Sequence, residues 1–220
     1  IDNSGAISLT SEAQTIAVDA AISGIGITAA MTNTTVSAEA TGISGGDGSD
    51  VIQNVGNISG IVTADAIGVG VSVSGAGISL SGSDLWDNGV SGESLFTGID
   101  GGAGNDTIHN SGAIVGHSEA TTPAVSVSLT LAGIGGAATT STADARAYGI
   151  DGGDGDDLIT NTGDLALAAI ADANTVNVSA AGVGIAVTAD KVWDGGTTAI
   201  AATAGIAGGE GDDSIDNSAA

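Results

Sequence analysis

Hydrophobic and polar residues alternate one by one over long stretches of this chain. The alternation is clearest at 69–74, 124–131 and 175–179, where Val or Leu at every second position is separated by Ser, Thr, Asn or Gly. Residues two apart point to the same face of a strand, so this period predicts β-strands. Helical spacing is not sustained over any useful length, and each interior Gly would cost a helix about 1 kcal/mol. The pattern predicts an all-β protein.

A glycine-rich motif recurs four times and divides the chain into units. Its form is G-G-x-G-x-D-x-[I]-x-N, and the copies begin at Gly45, Gly101, Gly152 and Gly208, giving alternating units of 56 and 51 residues. Two units make a super-repeat of 107 residues. We therefore predict that 1–220 is a single continuous array, with super-repeats 1–107 and 108–214, while 215–220 restarts the pattern of residue 1. We expect a segment of a longer array, or a subunit whose tail continues into the head of the next.

Identical glycine corners in successive units predict a parallel β-solenoid with stacked Gly/Asp turns. Stacking would bury one isoleucine column, formed by Ile52, Ile108, Ile159 and Ile215. The number of residues per rung is left open: rungs of about 18 residues would put three coils in each unit, whereas one large, flattened rung would put each turn directly on the next. At about 4.8 Å per rung the two arrangements differ nearly threefold in length. The long alternating runs favour the large rung.

Two local features complete the predicted architecture. The 56-residue units carry extra residues around 83–89 and 189–195, which we predict to be protruding loops. The single proline, Pro123, is predicted to lie in a turn at 121–123, where it would cost no hydrogen bond of the sheet.

The charge of the chain restricts its partners. Its 220 residues carry a formal net charge of −24, with Arg146 and Lys191 as the only basic side chains. Binding to nucleic acid is therefore excluded, because there is nothing to neutralise phosphates, and anionic membrane surfaces are disfavoured. No stretch approaches the roughly 18 to 20 apolar residues of a membrane-spanning helix, so no membrane insertion is expected. The chain has no Cys, which excludes disulfides. Cations are the natural counter-charge.

The glycine turn has the chemistry of a calcium site. Ca²⁺ takes six to eight oxygen ligands from carboxylates and backbone carbonyls. Glycine can adopt the positive φ that points carbonyls inward, and the Asp at the sixth position of the motif adds a carboxylate. Without a cation, the acidic side chains of stacked turns would repel one another by roughly 1 kcal/mol per pair at about 5 Å, even in water. The alternative reading is a set of glycine corners with solvated Asp residues and no metal.

At this motif the sequence resembles the calcium-binding nonapeptide of the RTX (repeats-in-toxin) family, G-G-x-G-x-D-x-U-x with U apolar. The resemblance implies that two successive turns share an ion, each giving one Asp carboxylate and main-chain oxygens. It assigns the sixth-position carboxylates to Asp50, Asp106, Asp157 and Asp213. It assigns the third and fifth positions, mainly through their carbonyls, to Asp47, Asn105, Asp154, Asp156, Glu210 and Asp212. Unlike the family's motifs, these are not in tandem, so ion sharing requires large rungs or ligands from elsewhere.

Two other groups of residues are candidates for binding. Trp86 and Trp193 occupy equivalent positions beside acidic residues and are candidates for a sugar-stacking or subunit-contact platform, or for pinning their own loops. The run Thr139–Thr142 is a candidate for a flat ice-binding face.

These observations together predict a structural protein. A Ser-His-Asp triad lacks a recurring His, and the carboxylates recur too regularly to form one acid/base pair, so we do not expect an enzyme. We expect an extracellular, calcium-stabilised solenoid on a bacterial cell surface, forming a filament or adhesin stalk by head-to-tail or continuous stacking on itself. The alternatives are a carbohydrate- or ice-binding solenoid module, and the RTX-like secretion domain of an exoenzyme.

Overall fold

A computed structural model describes residues 1–82, 89–189 and 196–219 as thirteen strands, and none of these residues is helical. The strands fall into three kinds that follow one another in the same order. The short strands are β1 (Asp2–Asn3), β4 (Val51–Asn54), β7 (Thr107–Asn110), β10 (Leu158–Asn161) and β13 (Ser214–Asn217). The long strands are β2 (Ile7–Met31), β5 (Ile58–Gly82), β8 (Ile114–Ala138) and β11 (Leu165–Ala189). The return strands are β3 (Thr34–Ser44), β6 (Val90–Asp100), β9 (Ser141–Asp151) and β12 (Thr197–Ala207).

Strands of one kind pair only with strands of the same kind, in parallel. They form three sheets, ordered β1-β4-β7-β10-β13, β11-β8-β5-β2 and β12-β9-β6-β3. One short, one long and one return strand therefore make one rung, and each unit forms a single rung. The protein is a parallel β-solenoid, as predicted, and the large-rung alternative is the correct one. No described helix is long and apolar enough to cross a membrane.

The register confirms the repeat alignment residue by residue. Ile52 pairs with Ile108, which pairs with Ile159, which pairs with Ile215. The first three are fully buried, as predicted, whereas Ile215 in the last rung is 46 % exposed because no further rung covers it.

The two unit lengths differ only in one connection. Corresponding strands have the same length in the complete rungs, but residues 83–89 join β5 to β6, whereas residues 139–140 alone join β8 to β9. The five extra residues of the longer units thus fall entirely between the long and the return strand. The loops predicted there lie outside the described residues.

Each rung is flattened, because the long strand and the return strand face each other. The long strand also folds back on itself near its end, at a glycine of positive φ such as Gly77 (132°). This arc brings Ser72 and Ser79 of the same strand together, with 2.7 Å between their hydroxyl oxygens. We call this side of the rung the arc end, and the opposite side, which carries the Gly-Gly motif, the turn end.

The hydrophobic core lies towards the turn end. It contains the isoleucine column and Phe96 of β6, whose ring is fully buried against the long strands β5 and β8. A Cβ at Gly60 or Gly116 would overlap this ring, so glycine at these two positions makes room for the only phenylalanine of the chain.

Pro123 does not lie in a turn, contrary to the prediction. It occupies the middle of β8, where its neighbour in β11 is Asn174. The pairing of β8 with β5 is interrupted there. Asp65 pairs with Thr121, and the next pair is Gly68 with Ala124. A parallel strand with a proline loses one hydrogen bond to one neighbour, and the remaining bonds of this 25-residue strand keep it in place.

Candidate metal centre

The Gly-Gly turns lie directly on one another along the solenoid axis. The third positions of the motif pair from rung to rung, Asp47 with Ala103, Ala103 with Asp154, and Asp154 with Glu210. In the first of these steps the Gly48 N–H donates to the Ala103 carbonyl at 2.6 Å, and the Ala103 N–H donates to the Gly46 carbonyl at 2.9 Å. The turns therefore form a main-chain ladder of their own.

Glycine is required twice in each turn by backbone conformation. The second position has φ between 93° and 103° in all four copies, and the fourth position has φ between 103° and 132°. Side chains other than glycine rarely adopt these angles. The spacing of the motif thus sets the path that allows the turns to stack.

The sixth-position aspartates form a continuous column. The Asp50 N–H donates to Oδ1 of Asp106 at 2.7 Å, the Asp106 N–H to Oδ1 of Asp157 at 2.8 Å, and the Asp157 N–H to Oδ1 of Asp213 at 3.0 Å. Each carboxylate therefore satisfies a turn N–H of the preceding rung. The structure brings together all four aspartates that the sequence singled out at this position.

The second oxygen of the two inner carboxylates has no donor among the described residues. Asp106 is 1 % exposed and Asp157 is 2 % exposed, yet Oδ2 of each makes no hydrogen bond. Both atoms lie against the first glycine of their own turn, where a Cβ on Gly101 would come within 2.7 Å of Asp106 Oδ2. A buried carboxylate oxygen without a partner is costly, and a cation or a proton would relieve that cost.

The electrostatics of the column agree with this geometry. Burial, followed by the charges of Asp106, Asp213 and Asp156, raises the pKa of the Asp157 carboxyl, although the Asp106 N–H acts in the opposite direction. Burial and the charge of Asp100 likewise raise the pKa of Asp151. The charged forms of these groups therefore lack a positive neighbour.

Asp100 and Asp151 are acidic neighbours of the turn that the sequence analysis did not single out. They pair in register at the ends of β6 and β9, immediately before the Gly-Gly of the second and third copies. The available signal was an acidic residue directly before Gly-Gly, but Ser44 and Ala207 replace it in the other two copies.

The third and fifth positions lie on the outside of the turns. The side chains of Asp47, Asn105, Asp154, Asp156, Glu210 and Asp212 are exposed. The carbonyls of the third position accept N–H groups of the preceding turn, as in the bond from Gly104 to Asp154. Side chains of the fifth position accept N–H groups of the following turn. For example, the Asp212 N–H donates to Oδ1 of Asp156 at 2.9 Å. These residues hold neighbouring turns together.

The donor set matches a hard cation in kind, because carboxylate and carbonyl oxygens are the ligands that Ca²⁺ prefers. Across the described ranges, however, no three His, Cys, Asp or Glu side chains come together as a metal-binding group. An ion at the turns would therefore combine one or two sixth-position carboxylates with main-chain oxygens. This is the ligand mixture that the motif suggests.

A second polar column, formed by asparagine side chains, runs beside the turns. It was not predicted from the sequence. Nδ2 of Asn54 donates to Oδ1 of Asn110 at 2.7 Å, and Nδ2 of Asn110 donates to Oδ1 of Asn161 at 2.7 Å. Each amide also donates to the carbonyl of the glycine two residues later, as in Asn110 to Gly112 at 2.9 Å. The signal was the Asn at the tenth position of every motif copy, with glycine two residues later in the first three copies.

The remaining sequence candidates are the two tryptophans and the threonine run. Trp86 and Trp193 lie outside the described residues. Thr139 and Thr140 are buried, so the threonine run forms no exposed flat face.

The fold and the stacked turns define the protein as a parallel β-solenoid. Comparison of the chain with protein-family models, with curated proteins and with solved structures gives no match. The resemblance to RTX motifs therefore rests on the ten-residue motif alone.

Proposed function

We propose that this chain is a structural segment of an extracellular solenoid, serving as a stalk or filament that calcium stabilises at the turns. The observation that carries the proposal is the column of sixth-position aspartates, in which buried carboxylates repeat from rung to rung without a positive partner. A column of carboxylates along one edge suits a rod that is held by ions along that side. We expect no catalytic activity.

Calcium is the cation that the column favours. Asp106 and Asp157 would each supply the carboxylate of an inter-turn site, with Asp50 and Asp213 at its ends. Main-chain oxygens of the glycine turns would complete the ligand set. Extracellular calcium modules bind with dissociation constants of about 10⁻⁴ to 10⁻³ M, so such sites fill at the millimolar calcium found outside cells. This affinity is the reason for proposing an extracellular location.

Thermal unfolding followed by far-UV circular dichroism tests calcium binding. In calcium at about ten times the dissociation constant, each site should add about 1.4 kcal/mol to the free energy of unfolding relative to a chelator. Magnesium should add less, because it demands octahedral geometry and gives up its water reluctantly. Equal midpoints in calcium, magnesium and chelator would show that the turns bind no calcium.

An Asp157→Asn variant sharpens the test, because its effect on stability should differ between chelator and calcium. In chelator it should be at least as stable as the parent chain, because a buried charge is removed while Oδ1 still accepts the Asp106 N–H. In calcium it should gain less than the parent chain, because a ligand charge is lost. The matched control is Asp164→Asn, an exposed aspartate of the same rung outside the turns, whose calcium response should equal that of the parent chain.

Axial stacking is proposed because every rung presents the same three strands in the same register. The upper edge of one rung therefore matches the lower edge of any other, and contacts that repeat without closing generate fibres. Electron microscopy of concentrated protein in calcium should show filaments many times longer than one chain. Uniform single particles at every concentration would contradict self-assembly by stacking, and would leave the calcium result unaffected.

A further inference from the structure

The outer surface of the long-strand sheet is apolar towards the arc end. Four neighbouring columns are involved, which we call the valine face: Ile16, Ile67, Pro123 and Asn174; Val18, Val69, Val125 and Val176; Ala20, Val71, Val127 and Val178; Ile22, Val73, Leu129 and Ala180. No charged residue belongs to these columns, although the chain has a net charge of −24.

The interior beneath the half of the valine face that is nearest the arc end is polar. Ser72, Ser74, Ser126 and Ser128 point inward from the same strands and are at most 1 % exposed. On the outside, Val18 in the first rung is 69 % exposed and Val176 in the last rung is 52 % exposed, while in an inner rung Leu129 is 42 % exposed. Folding of one chain thus buries the serines and leaves the valines in water, the reverse of the usual arrangement.

We propose that the valine face pairs two copies of this solenoid side by side, sheet against sheet. The face belongs to one continuous parallel sheet, and sheets stack at about 10 Å through aliphatic side chains. A second copy suits it because the face is uncharged and self-complementary, as a twofold interface requires. This lateral contact is distinct from the axial stacking proposed above.

The acidic residues on the same outer surface determine the orientation of the pair. Glu12, Asp65, Glu119 and Asp172 lie on that surface, in columns nearer the turn end. A twofold axis along the solenoid axis overlays the valine faces and sends the acidic columns to opposite sides. A twofold axis along the strands would instead place acidic columns opposite each other. Repulsion therefore favours parallel solenoid axes with opposed strand directions.

The area of the face determines how strong the pairing should be. Four columns at about 6.6 Å and four rungs at about 4.8 Å give roughly 500 Å² on each copy. The total of roughly 1,000 Å² is below the 1,200 Å² or more of stable dimers. The chain should therefore pair weakly and reversibly, and each added rung should strengthen the pair.

Sedimentation velocity over a concentration series tests the pairing. The parent chain should show a reversible monomer–dimer equilibrium, and Val71→Lys with Val127→Lys should weaken the dimer at least tenfold. The matched control places the same charges outside the face, as Thr63→Lys with Thr121→Lys, and should keep the dimer. A dimer that survives in the first variant, or a parent chain that stays monomeric at every concentration, would overturn the proposal.

Two further measurements guard against misfolding and test orientation. If the lysine variant loses its β signal, Val71→Thr with Val127→Thr keeps the β-branched shape and should still weaken the dimer. Because the chain has no Cys, Val71→Cys should cross-link with a short bismaleimide, whereas Ser59→Cys, exposed on the same strand among the polar columns, should not. Cross-linking through Ser59→Cys alone would overturn the proposed orientation.

Discussion

The two ends of each rung bury different chemistry between the same pair of layers. Near the turn end the interior holds isoleucine columns and Phe96, and the outer surface of the long strands carries acidic and polar residues together with exposed apolar ones such as Ile61 and Val115. Near the arc end the interior holds serines, and the outer surface carries valines. Along one sheet the interior thus changes from apolar to polar, while the outer surface loses its charged residues.

Strand alternation determines which residues share a face of the sheet. It does not determine which of the two faces is buried. At the arc end the layers are held close by small residues, since a Cβ at Gly70 would come within 3.1 Å of the Ser81 hydroxyl oxygen. Some of the serines then bond to one another, as in the bond of 2.9 Å from Ser126 to Ser81, whereas the buried hydroxyl of Ser74 has no partner among the described residues. A thin polar interior contributes little hydrophobic stabilisation, so we expect the turn end to dominate the stability.

The largest loss of stability should follow Phe96→Ala. Removing this fully buried ring leaves a cavity beside Gly60 and Gly116, and these glycines have no side chain to fill it. The substitution should cost about 3–5 kcal/mol in the free energy of unfolding. Urea unfolding measures this cost. The control Leu95→Ala, at the next position on the outer surface, should cost less than about 1 kcal/mol. Similar losses for the two variants would show that the turn end is not a packed core.

A smaller loss should follow Asn110→Ala, which interrupts the asparagine column. Asn110 is 2 % exposed, and its removal leaves the amide of Asn54 and the Oδ1 of Asn161 each short of one partner. The expected cost is about 2–4 kcal/mol, measured by the same urea titration. Asn57→Ala, at the exposed side of a corner of the solenoid, is the control and should cost less than about 1 kcal/mol. Equal effects would mean that the column adds nothing beyond its main-chain bonds.

The smallest effect should come from Ser72→Ala at the arc end. The Ser72–Ser79 bond is lost, but Ser79 keeps a contact of 3.1 Å with the hydroxyl of Ser128. We expect a cost of about 1 kcal/mol or less. The thermal midpoint measures it, with Ser59→Ala on the outer surface as the control. A loss comparable to that of Phe96→Ala would contradict the contrast between the two ends.

Several features of the fold could be predicted because they depend on local backbone chemistry. The glycine positions of the turn are required by φ, and the sixth-position Asp, the isoleucine column and the repeat register follow from the fixed spacing of the motif. The sixth-position residues Asp50, Asp106, Asp157 and Asp213 accordingly form one column. Calcium binding at these residues stays a prediction.

Other features could not be predicted because they depend on contacts between distant parts of the rung. The proline was wrongly predicted in a turn, since only the neighbouring strands show that the sheet tolerates it. The rung size was open for the same reason: a 25-residue strand is recognised as one element only when its partners are known. The acidic pair Asp100 and Asp151 lacks a repeated sequence signal.

The sequence by itself determined the class of fold, the period and the backbone path of each glycine turn, because glycine conformation and alternation act locally and repeat identically. The tertiary structure alone decided that serine lies inside and valine outside at the arc end. Alternation is symmetric between the two faces of a strand, and only the layer that packs against one of them breaks the symmetry.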